Sequence, residues 1–346
     1  MNPRILIIYT GGTIGMIEDP RTKALKPFDF SHLMENVPKV KMLEYEIDNI
    51  QFHPPIDSSD MNIEHWQLIA RSIADNYDDY DGFVVLHGTD TMAYTASALS
   101  FMLGNLDKPV IITGSQLPIG EVRTDGEENL ITALQIAAGC DPDGAPIVRE
   151  VAILFENYLW RGNRSTKRSA DNFNAFKSNN YPYLAKIGLG IQYDREALAR
   201  HHHACPLQPR YELDSNVMAI DLFPGLNKRV LDHLLNAPGV KGIVLRTYGA
   251  GNGPTWQWFI DSIRRTVERG VVIVNVTQCV NGGVHPNRYV AGDVLAATGV
   301  VPGHDLTFEA AITKMMFLFG LNIDAKEVAR RMAVPIAGEL TLSTPK

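Results

Sequence analysis

The clearest structural signal in the chain is residues 82–90, Gly82-Phe83-Val84-Val85-Leu86-His87-Gly88-Thr89-Asp90. The run from Phe83 to Leu86 is apolar at every position, whereas a strand with one solvated face alternates apolar and polar residues. Such a run is typical of a strand in a parallel sheet that helices cover on both faces. Val110-Ile111-Ile112 repeats the pattern, so the sequence indicates an α/β fold.

The same rhythm of a short apolar run, a small-residue turn and an amphipathic segment extends outward in both directions. In the first half, strands are predicted at Arg4–Tyr9, Glu46–His53, Gly82–His87, Pro109–Thr113 and Glu150–Phe155, and helices at Ser31–Val37, Asn62–Tyr77, Met92–Leu103 and Glu127–Gly139. In the second half, strands are predicted at Val217–Leu222, Gly242–Arg246 and Val271–Asn275, and helices at Leu226–Leu235, Thr255–Arg269, Thr307–Phe319 and Asp324–Met332.

The rhythm stops at residues 194–213, where prolines and the triplet His201-His202-His203 leave no sustained apolar face. We therefore predict a linker there. It would join a larger N-terminal catalytic domain with a parallel α/β sheet, residues 1–193, to a smaller flavodoxin- or Rossmann-like α/β domain, residues 214–346. The histidine triplet is interpreted as a solvated loop, because no Cys, Asp or Glu cluster accompanies it, and no metal site is predicted.

Composition excludes several classes of partner. The formal charge of −7 argues against nucleic acid and anionic membrane surfaces, whose phosphates bind clustered Lys and Arg. No apolar run approaches the ~20 residues that span a bilayer, and the first residues lack the features of a signal peptide. The three cysteines have no short pair spacing, which fits a reduced, cytoplasmic protein.

Four turns, each directly after a predicted strand, carry the candidate chemistry. They are Thr10-Gly11-Gly12-Thr13, Asp57-Ser58-Ser59-Asp60, His87-Gly88-Thr89-Asp90 and Thr113-Gly114-Ser115-Gln116. In an open parallel sheet, ligands bind outside the carboxyl ends of the strands, near the point where the strand order reverses. The four turns are therefore predicted to meet in one crevice, where glycines allow close backbone approach and hydroxyl groups face a ligand.

Each turn also has a purely structural interpretation, since Ser or Thr after a strand commonly caps the next helix. A nucleotide site is the weaker functional alternative, because the GxGxxG spacing and the P-loop are both absent. A hydroxyl nucleophile needs a base, and the candidates are His87, Asp90 and Lys167. Lys167 follows the strand that ends at Phe155 and could reach the same sheet edge.

Three segments together resemble the bacterial-type L-asparaginases, and most closely their cytoplasmic type I branch. These segments are Tyr9-Thr10-Gly11-Gly12-Thr13-Ile14-Gly15, residues 82–92 from Gly82 to Met92, and Arg161 to Lys167. The resemblance implies hydrolysis of L-asparagine to aspartate and ammonia through a covalent acyl-threonine, without a cofactor. Thr13 resembles the nucleophile, and Thr89, Asp90 and Lys167 resemble the triad-like set that activates the nucleophile or the hydrolytic water. Which threonine attacks first stays open.

The resemblance also implies substrate contacts and a quaternary structure. Asp57, Ser58 and Ser59 match the segment that holds the α-carboxylate and α-amino groups of the substrate, while Ser115 lies at the turn that approaches the amide. A homotetramer built as a dimer of dimers is implied as well. One feature departs from the family: the loop from Met16 to Pro27 has no tyrosine, and Leu25 stands near the expected place. The role of that tyrosine is unassigned.

A second resemblance concerns a regulatory asparagine site of some type I enzymes. The matching residues are Thr166, Arg246, Asn252, Thr277, Gln278 and Cys279. Arg246 is suited to a carboxylate, but it could equally serve a subunit interface. Two other functions remain open, a dual glutaminase-asparaginase and a non-catalytic amino-acid sensor. The sensor hypothesis predicts loss of the catalytic residues, whereas Thr13, Thr89, Asp90 and Lys167 are all present.

Overall fold

A computed structural model of the chain describes residues 2–18, 25–27, 35, 37–199, 205–285 and 290–342. The chain divides into two compact units, Met1–Tyr211 and Glu212–Lys346. The division falls inside the segment 194–213, and the linker with its flanking domain boundaries stays a prediction. The predicted helix Ser31–Val37 lies largely outside the described residues, as does the triplet His201-His202-His203.

The described part of the first unit contains fourteen strands and three α-helices. The strands are β1 Arg4–Gly11, β2 Met16–Glu18, β3 Leu25–Pro27, β4 Glu46–Ile56, β5 Gly82–Leu86, β6 Leu103–Gly104, β7 Val110–Thr113, β8 Val151–Phe155, β9 Tyr158–Arg161, β10 Ser165–Lys167, β11 Phe176–Ser178, β12 Ala185–Ile187, β13 Ile191–Tyr193 and β14 Gln208–Pro209. The helices are α1 Ile63–Asp75, α2 Met92–Met102 and α3 Gly126–Ala137, and short 3-10 turns lie at Thr13–Gly15, Pro38–Leu43, Ser58–Asp60 and Gly162–Arg164.

Eight of these strands form one sheet in the order β13-β12-β9-β8-β7-β5-β1-β4. The five strands from β8 to β4 run parallel, and Val84 of β5 pairs with Ile7 on one side and Ile111 on the other. Every residue of β5, β7 and β8 is buried, so the predicted parallel α/β sheet is confirmed. Because β4 and β5 lie on opposite sides of β1, the strand order reverses at β1, which places a ligand crevice at its carboxyl end.

The sheet also has an edge that the sequence did not predict. Strands β9, β12 and β13 pair in antiparallel fashion beyond β8, and Glu156 in the β8–β9 turn adopts a φ of 51°. These strands have only three or four residues, too few for hydrophobic periodicity to reveal them. The sheet is therefore mostly parallel with an antiparallel edge.

The helices of the first unit follow from their sequence patterns. Helix α1 begins after Asn62, whose side chain accepts a hydrogen bond from the His65 N–H at 3.1 Å. Trp66, Ile69 and Ile73 recur at helical spacing and are buried on one face. Helix α2 is instead buried almost all round, as expected for a helix enclosed between the sheet and its neighbours.

The second unit is a smaller parallel α/β domain, as predicted. In its described residues, the strands are β15 Val217–Asp221, β16 Gly242–Thr247, β17 Val272–Thr277 and β18 Val301–Pro302, all parallel and adjacent in chain order. The described helices are α4 Lys228–Leu235, α5 Gln257–Glu268, α6 Val290–Ala296, α7 Phe308–Gly320 and α8 Ala325–Met332. Its core is formed by apolar residues of the strands and of α4 and α5, including Ile220, Leu231, Leu245, Phe259 and Ile273. Over the described ranges, no helix combines the length and apolarity needed to cross a bilayer.

Candidate active site

The four turns predicted to form one crevice are in close contact at the carboxyl edge of the parallel strands. A Cβ placed on Gly12 would lie 2.4 Å from the Gly88 nitrogen, and one on Gly88 would lie 2.5 Å from Ser58 Oγ. A Cβ on Gly114 would likewise lie 2.3 Å from the His87 carbonyl oxygen. The glycines therefore permit close packing of these turns, backbone against backbone for those after β1, β5 and β7, and backbone against the Ser58 side chain for that after β4.

The turn after β1 carries Thr13 on a conformation that needs glycine. Gly11 and Gly12 have φ values of 136° and 90°, in the region that side chains with a Cβ avoid. Thr13 is partly buried and begins the 3-10 turn that ends at Gly15. The Tyr9 hydroxyl donates a hydrogen bond to the Gly15 carbonyl oxygen at 2.8 Å, and burial raises the pKa of Tyr9 to about 12, so the phenol remains a donor. This anchors the Thr13 turn from beneath.

The chain leaves the Thr13 turn as a strand and not as a helix. Strand β2 follows the 3-10 turn directly and pairs with β3. A dinucleotide site places the pyrophosphate on a helix N-terminus after the first glycine turn, and that element is missing here. The arrangement thus disfavours the nucleotide alternative.

The turn after β5 brings Thr89, Asp90 and Lys167 together. Lys167 Nζ donates to Thr89 Oγ1 at 2.8 Å and to Asp90 Oδ1 at 2.7 Å. The Lys167 side chain is 18% exposed, while the Asp90 side chain is 62% exposed. Strand β10 delivers Lys167 to this edge through its antiparallel pairing with β11, in which Lys167 stands opposite Phe176. A lysine, a hydroxyl and a carboxylate thus form a hydrogen-bonded set that can exchange a proton.

Gln116 completes the surroundings of Thr89. The Thr89 hydroxyl donates to Gln116 Oε1 at 3.4 Å, while Gln116 Nε2 donates to the carbonyl oxygens of Ala170 at 3.2 Å and Asn172 at 3.0 Å. The sequence placed Gln116 in the fourth turn but gave it no role. Its contacts with residues more than fifty positions away could not be inferred from local spacing.

The turn after β4 presents the predicted substrate-binding residues. Asp57 Oδ1 accepts the Ser59 N–H at 2.8 Å and so caps the 3-10 turn Ser58–Asp60. Ser58 is buried, and its carbonyl oxygen accepts the Thr91 hydroxyl at 2.6 Å. Asp57 and Ser59 are exposed, so their polar groups are accessible to a ligand.

Ser115 is buried in the turn after β7, and its hydroxyl is used within that turn. It donates to the Leu117 carbonyl oxygen at 2.5 Å. The Asp125 carboxylate accepts the Gln116 N–H at 3.0 Å and the Leu117 N–H at 3.2 Å, and burial raises the pKa of Asp125. Asn129 Nδ2 ties the Gly114 carbonyl oxygen to α3 at 2.9 Å. The turn is therefore rigidly held, and the contact of Ser115 with a substrate stays a prediction.

His87 lies beneath the crevice, with both ring nitrogens in hydrogen-bond contact. Its Nδ1 is 2.6 Å from the Gly88 carbonyl oxygen, and its Nε2 is 2.9 Å from Thr95 Oγ1, which also accepts Trp66 Nε1–H at 2.9 Å. Burial lowers the pKa of His87 to about 4, so the ring is neutral at pH 7. Of the candidate bases, Lys167 contacts the Thr89 hydroxyl at 2.8 Å, whereas both ring nitrogens of His87 contact Gly88 and Thr95.

Family comparisons agree with this geometry. The chain matches the family models "Asparaginase, N-terminal" over residues 4–199 and "Glutaminase/Asparaginase C-terminal domain" over residues 216–332. The chain belongs to the asparaginase family. The resemblance inferred from the sequence motifs is therefore confirmed, and this asparaginase is an enzyme of the amidohydrolase type.

Relatives match this asparaginase along nearly its whole length. L-asparaginase 1 of Escherichia coli (strain K12) is 42% identical over 344 residues, which cover 97% of this chain and 98% of the relative. The crystal structure of L-asparaginase I from Vibrio cholerae O1 biovar eltor str. N16961 superposes with a TM-score of 0.90 at 40% identity, covering 99% of this chain and 100% of the other. A probable cytoplasmic L-asparaginase from Campylobacter jejuni has a TM-score of 0.79 at 25% identity, with coverage of 96% and 99%.

In the second unit of this asparaginase, Arg246 lies at the end of β16. Its Nη1 contacts Asp221 Oδ1 at 3.1 Å, and the guanidinium lies 5.1 Å from the Phe308 ring centroid. Its Nε is buried and has no hydrogen-bond partner among the residues that the structure describes. The side chain is 30% exposed, so part of it is accessible to solvent.

Four further residues of the predicted regulatory site lie near the ends of β16 and β17. Thr277 Oγ1 donates to the Gly249 carbonyl oxygen at 2.5 Å and accepts the Cys279 N–H at 3.0 Å. Gln278 Nε2 donates to the Arg246 carbonyl oxygen at 2.9 Å. Asn252 Oδ1 is buried without a partner in the described ranges. The sixth residue, Thr166, lies on β10 of the first unit, opposite Lys177.

The missing loop tyrosine is not replaced by any described residue of the loop itself. Residues 16–18 and 25–27 form the paired strands β2 and β3, while residues 19–24 lie outside the described ranges. The side chain of Leu25 is also outside them. The group that supplies this hydroxyl therefore stays unassigned.

Proposed function

We propose that this asparaginase hydrolyses the side-chain amide of L-asparagine through a covalent ester on Thr13, with Thr89, Lys167 and Asp90 as the proton-transfer set. The observation that carries the proposal is the contact of Lys167 Nζ with both Thr89 Oγ1, at 2.8 Å, and Asp90 Oδ1, at 2.7 Å. This set lies at the edge where the Thr13 turn packs against Gly88. The L-asparaginase relatives support the overall reaction.

The reaction divides into two balanced steps. The Thr13 hydroxyl oxygen attacks the amide carbon, loses its proton to a base, and ammonia leaves with a proton. Water then attacks the Thr13 ester and releases aspartate, which restores the threonine hydroxyl. Splitting the hydrolysis in this way replaces one difficult step with two easier ones. The alternative order gives the ester to Thr89, and peptide mapping of the trapped intermediate distinguishes the two.

The charges around the crevice suit a zwitterionic amino acid. The Asp90 carboxylate is largely exposed and can face the α-ammonium, and Asp57 is exposed on the neighbouring turn. Ser58 and Ser59 lie on the turn that would hold the α-carboxylate. Backbone N–H groups of the Gly12 and Gly88 turns are suited to the oxyanion of the tetrahedral intermediate, where one donor contributes ~10²–10³ in rate.

Selectivity between asparagine and glutamine is the main alternative within the enzyme class. One methylene in an apolar pocket discriminates by only ~1–3 kcal/mol, so a dual glutaminase-asparaginase has the same site residues. A non-catalytic sensor is disfavoured because the Lys167–Thr89–Asp90 set is intact.

Steady-state ammonia release from asparagine and from glutamine tests the proposed function. Thr13→Ala and Thr89→Val should each lower kcat by at least ~10²-fold, because each removes a reacting or proton-transferring hydroxyl. Thr255→Ala, at an exposed threonine of the second unit, is the control and should retain full activity. Wild-type protein that binds asparagine but releases no ammonia would establish the sensor instead.

We further propose a regulatory asparagine site within the second unit at Arg246, with Asn252, Thr277, Gln278 and Cys279. Arg246 Nε and Asn252 Oδ1, both buried without a hydrogen-bond partner in the described part of the chain, offer a donor and an acceptor for an amino acid. Initial rate should rise sigmoidally with asparagine concentration, and Arg246→Ala should make the curve hyperbolic, while Arg264→Ala should not. A hyperbolic wild-type curve that Arg246→Ala leaves unchanged argues against the site.

The assembly and the compartment are also proposals. The resemblance to type I enzymes favours a homotetramer, which light scattering would detect as about four times the chain mass of 38.3 kDa. Cytoplasmic location is supported by the similarity to the probable cytoplasmic L-asparaginase from Campylobacter jejuni and by three free cysteines, Cys140, Cys205 and Cys279.

A further inference from the structure

Gln116 holds a fixed orientation beside the proton-transfer set. Its Nε2 contacts two carbonyl oxygens, of Ala170 and Asn172, and carbonyl oxygens only accept hydrogen bonds. The amide nitrogen must therefore face them, which leaves Oε1 facing Thr89. The Gln116 backbone is fixed as well, because both Asp125 carboxylate oxygens lie 3.0 Å from its N–H. The side chain thus presents a defined acceptor to Thr89.

The donors and acceptors around Thr89 then determine where its hydroxyl proton lies. A lysine ammonium has three donors and no acceptor, so Lys167 donates to Thr89 Oγ1 and cannot accept from it. The single Thr89 hydroxyl proton is consequently directed to Gln116 Oε1 at 3.4 Å. Once Lys167 is neutral, its lone pair competes for the same proton.

We propose that Gln116 is a positioning residue that holds the Thr89 hydroxyl proton away from Lys167 in the resting enzyme. The proposal rests on the proposed function of Thr89 and Lys167. The Thr89–Gln116 hydrogen bond meets no competing acceptor while Lys167 carries three N–H donors, whereas a neutral amine would compete for the Thr89 proton, so Gln116 favours the ammonium form of the set. Transfer of the Thr89 hydroxyl proton to a base must break the Thr89–Gln116 hydrogen bond. Gln116 thereby influences the pH at which the enzyme becomes active.

The test is the pH dependence of kcat in two variants with opposite expectations. Gln116→Met has a similar length but no acceptor, so the midpoint of the acid limb should move to lower pH by roughly 0.4 unit, as for a hydrogen bond at the weak end of the usual range. Gln116→Glu keeps an acceptor oxygen and adds negative charge beside the ammonium, so the midpoint should move to higher pH. KM should change less than about twofold in Gln116→Met.

Gln67→Met is the matched control, because Gln67 Nε2 also donates to a backbone carbonyl oxygen, that of Tyr211 at 2.9 Å, on another part of the unit. It should leave the midpoint unchanged. If Gln116→Met and Gln116→Glu both lower kcat with an unmoved midpoint, Gln116 merely tethers the loop at Ala170 and Asn172, and the proposal is wrong. An unchanged profile in both variants would also overturn it. Neither result contradicts the proposed function, which is tested separately by wild-type turnover and by the Thr13 and Thr89 variants.

Discussion

His87 is a buried side chain that holds the turn of Thr89 and Asp90 in place through hydrogen bonds from both ring nitrogens. The neutral ring donates from Nδ1 to the Gly88 carbonyl oxygen and accepts from the Thr95 hydroxyl, which is fixed in turn by Trp66. This chain leads from α1 through α2 to the turn that carries Thr89 and Asp90. Protonation would turn Nε2 into a donor and place a charge in a fully buried position.

We predict that His87 makes folding stability fall in acid. Its pKa is lowered by burial to about 4 in the folded protein, against an ordinary value of 6.5, so the unfolded chain binds the extra proton between those two values. The free energy of unfolding should be unaffected by His87 above pH 6.5 and should lose about 3 kcal/mol as the pH falls to 4. Urea titrations of wild type and His87→Gln at several pH values measure this contribution.

The control for this prediction is His53→Gln, at an exposed histidine on β4. In His53→Gln, the free energy of unfolding should fall in acid as much as in the wild type. In His87→Gln, the part of this fall that comes from His87 should be absent. A wild-type pH slope in His87→Gln would show that the buried ring does not carry the effect.

Local sequence reveals residues whose role is local and misses those whose role depends on distant partners. Gly11, Gly12 and Thr13 were identified because a glycine turn after a buried strand has a specific conformational meaning. Gln116 and the supporting role of His87 were missed because their partners are elsewhere, such as Asn172 for Gln116. A hydrogen bond across more than fifty residues leaves no spacing pattern.

At the level of elements, the hairpin β8–β9 joins the parallel sheet to its antiparallel edge. Arg161 at the end of β9 is buried and forms an ion pair with Glu150, with Nε and Oε2 2.6 Å apart. Its Nη2 donates to the Ala197 carbonyl oxygen at 2.9 Å, and the guanidinium lies 4.4 Å from the Tyr181 ring centroid. The sequence predicted β8 but not β9, because a buried strand that ends in arginine is recognisable only through its partners.

We predict that removing one charge of this buried ion pair destabilises the protein more than removing both charges. Arg161→Met leaves the Glu150 carboxylate buried without its counter-charge and should reduce the free energy of unfolding by about 3–5 kcal/mol. The double variant Arg161→Met/Glu150→Met removes both charges and should recover much of that loss. Urea denaturation measures each value.

Arg149→Met serves as the comparison, since Arg149 and Asp107 form a more exposed pair at 3.2 Å. Arg149→Met should reduce the free energy of unfolding clearly less than Arg161→Met does, because water solvates the remaining carboxylate. Equal losses in the Arg149 and Arg161 variants would contradict the importance of burial.

At the level of the whole molecule, each unit has its own core and its own buried polar anchor. In the second unit, Lys314 and Glu339 form a fully buried ion pair, with Nζ and Oε1 2.6 Å apart. Lys314 Nζ also donates to the Val334 carbonyl oxygen at 2.6 Å, and Glu339 accepts the Ala337 N–H at 2.8 Å. Burial lowers the pKa of Lys314 despite the nearby carboxylate. The pair therefore fixes the segment after α8 onto α7.

We predict that the two units unfold as separate cooperative domains, which tests the proposed division at residues 194–213. Glu339→Gln removes the charge that compensates the Lys314 ammonium and should weaken the second unit selectively. Hydrogen-exchange mass spectrometry should then show reduced protection in peptides from residues 212–342, while peptides from β5, β7 and β8 keep wild-type protection. Leu154→Ala, at a fully buried position of β8, should give the reverse pattern. Equal loss of protection in both units from either substitution would mean that the chain unfolds as one cooperative structure.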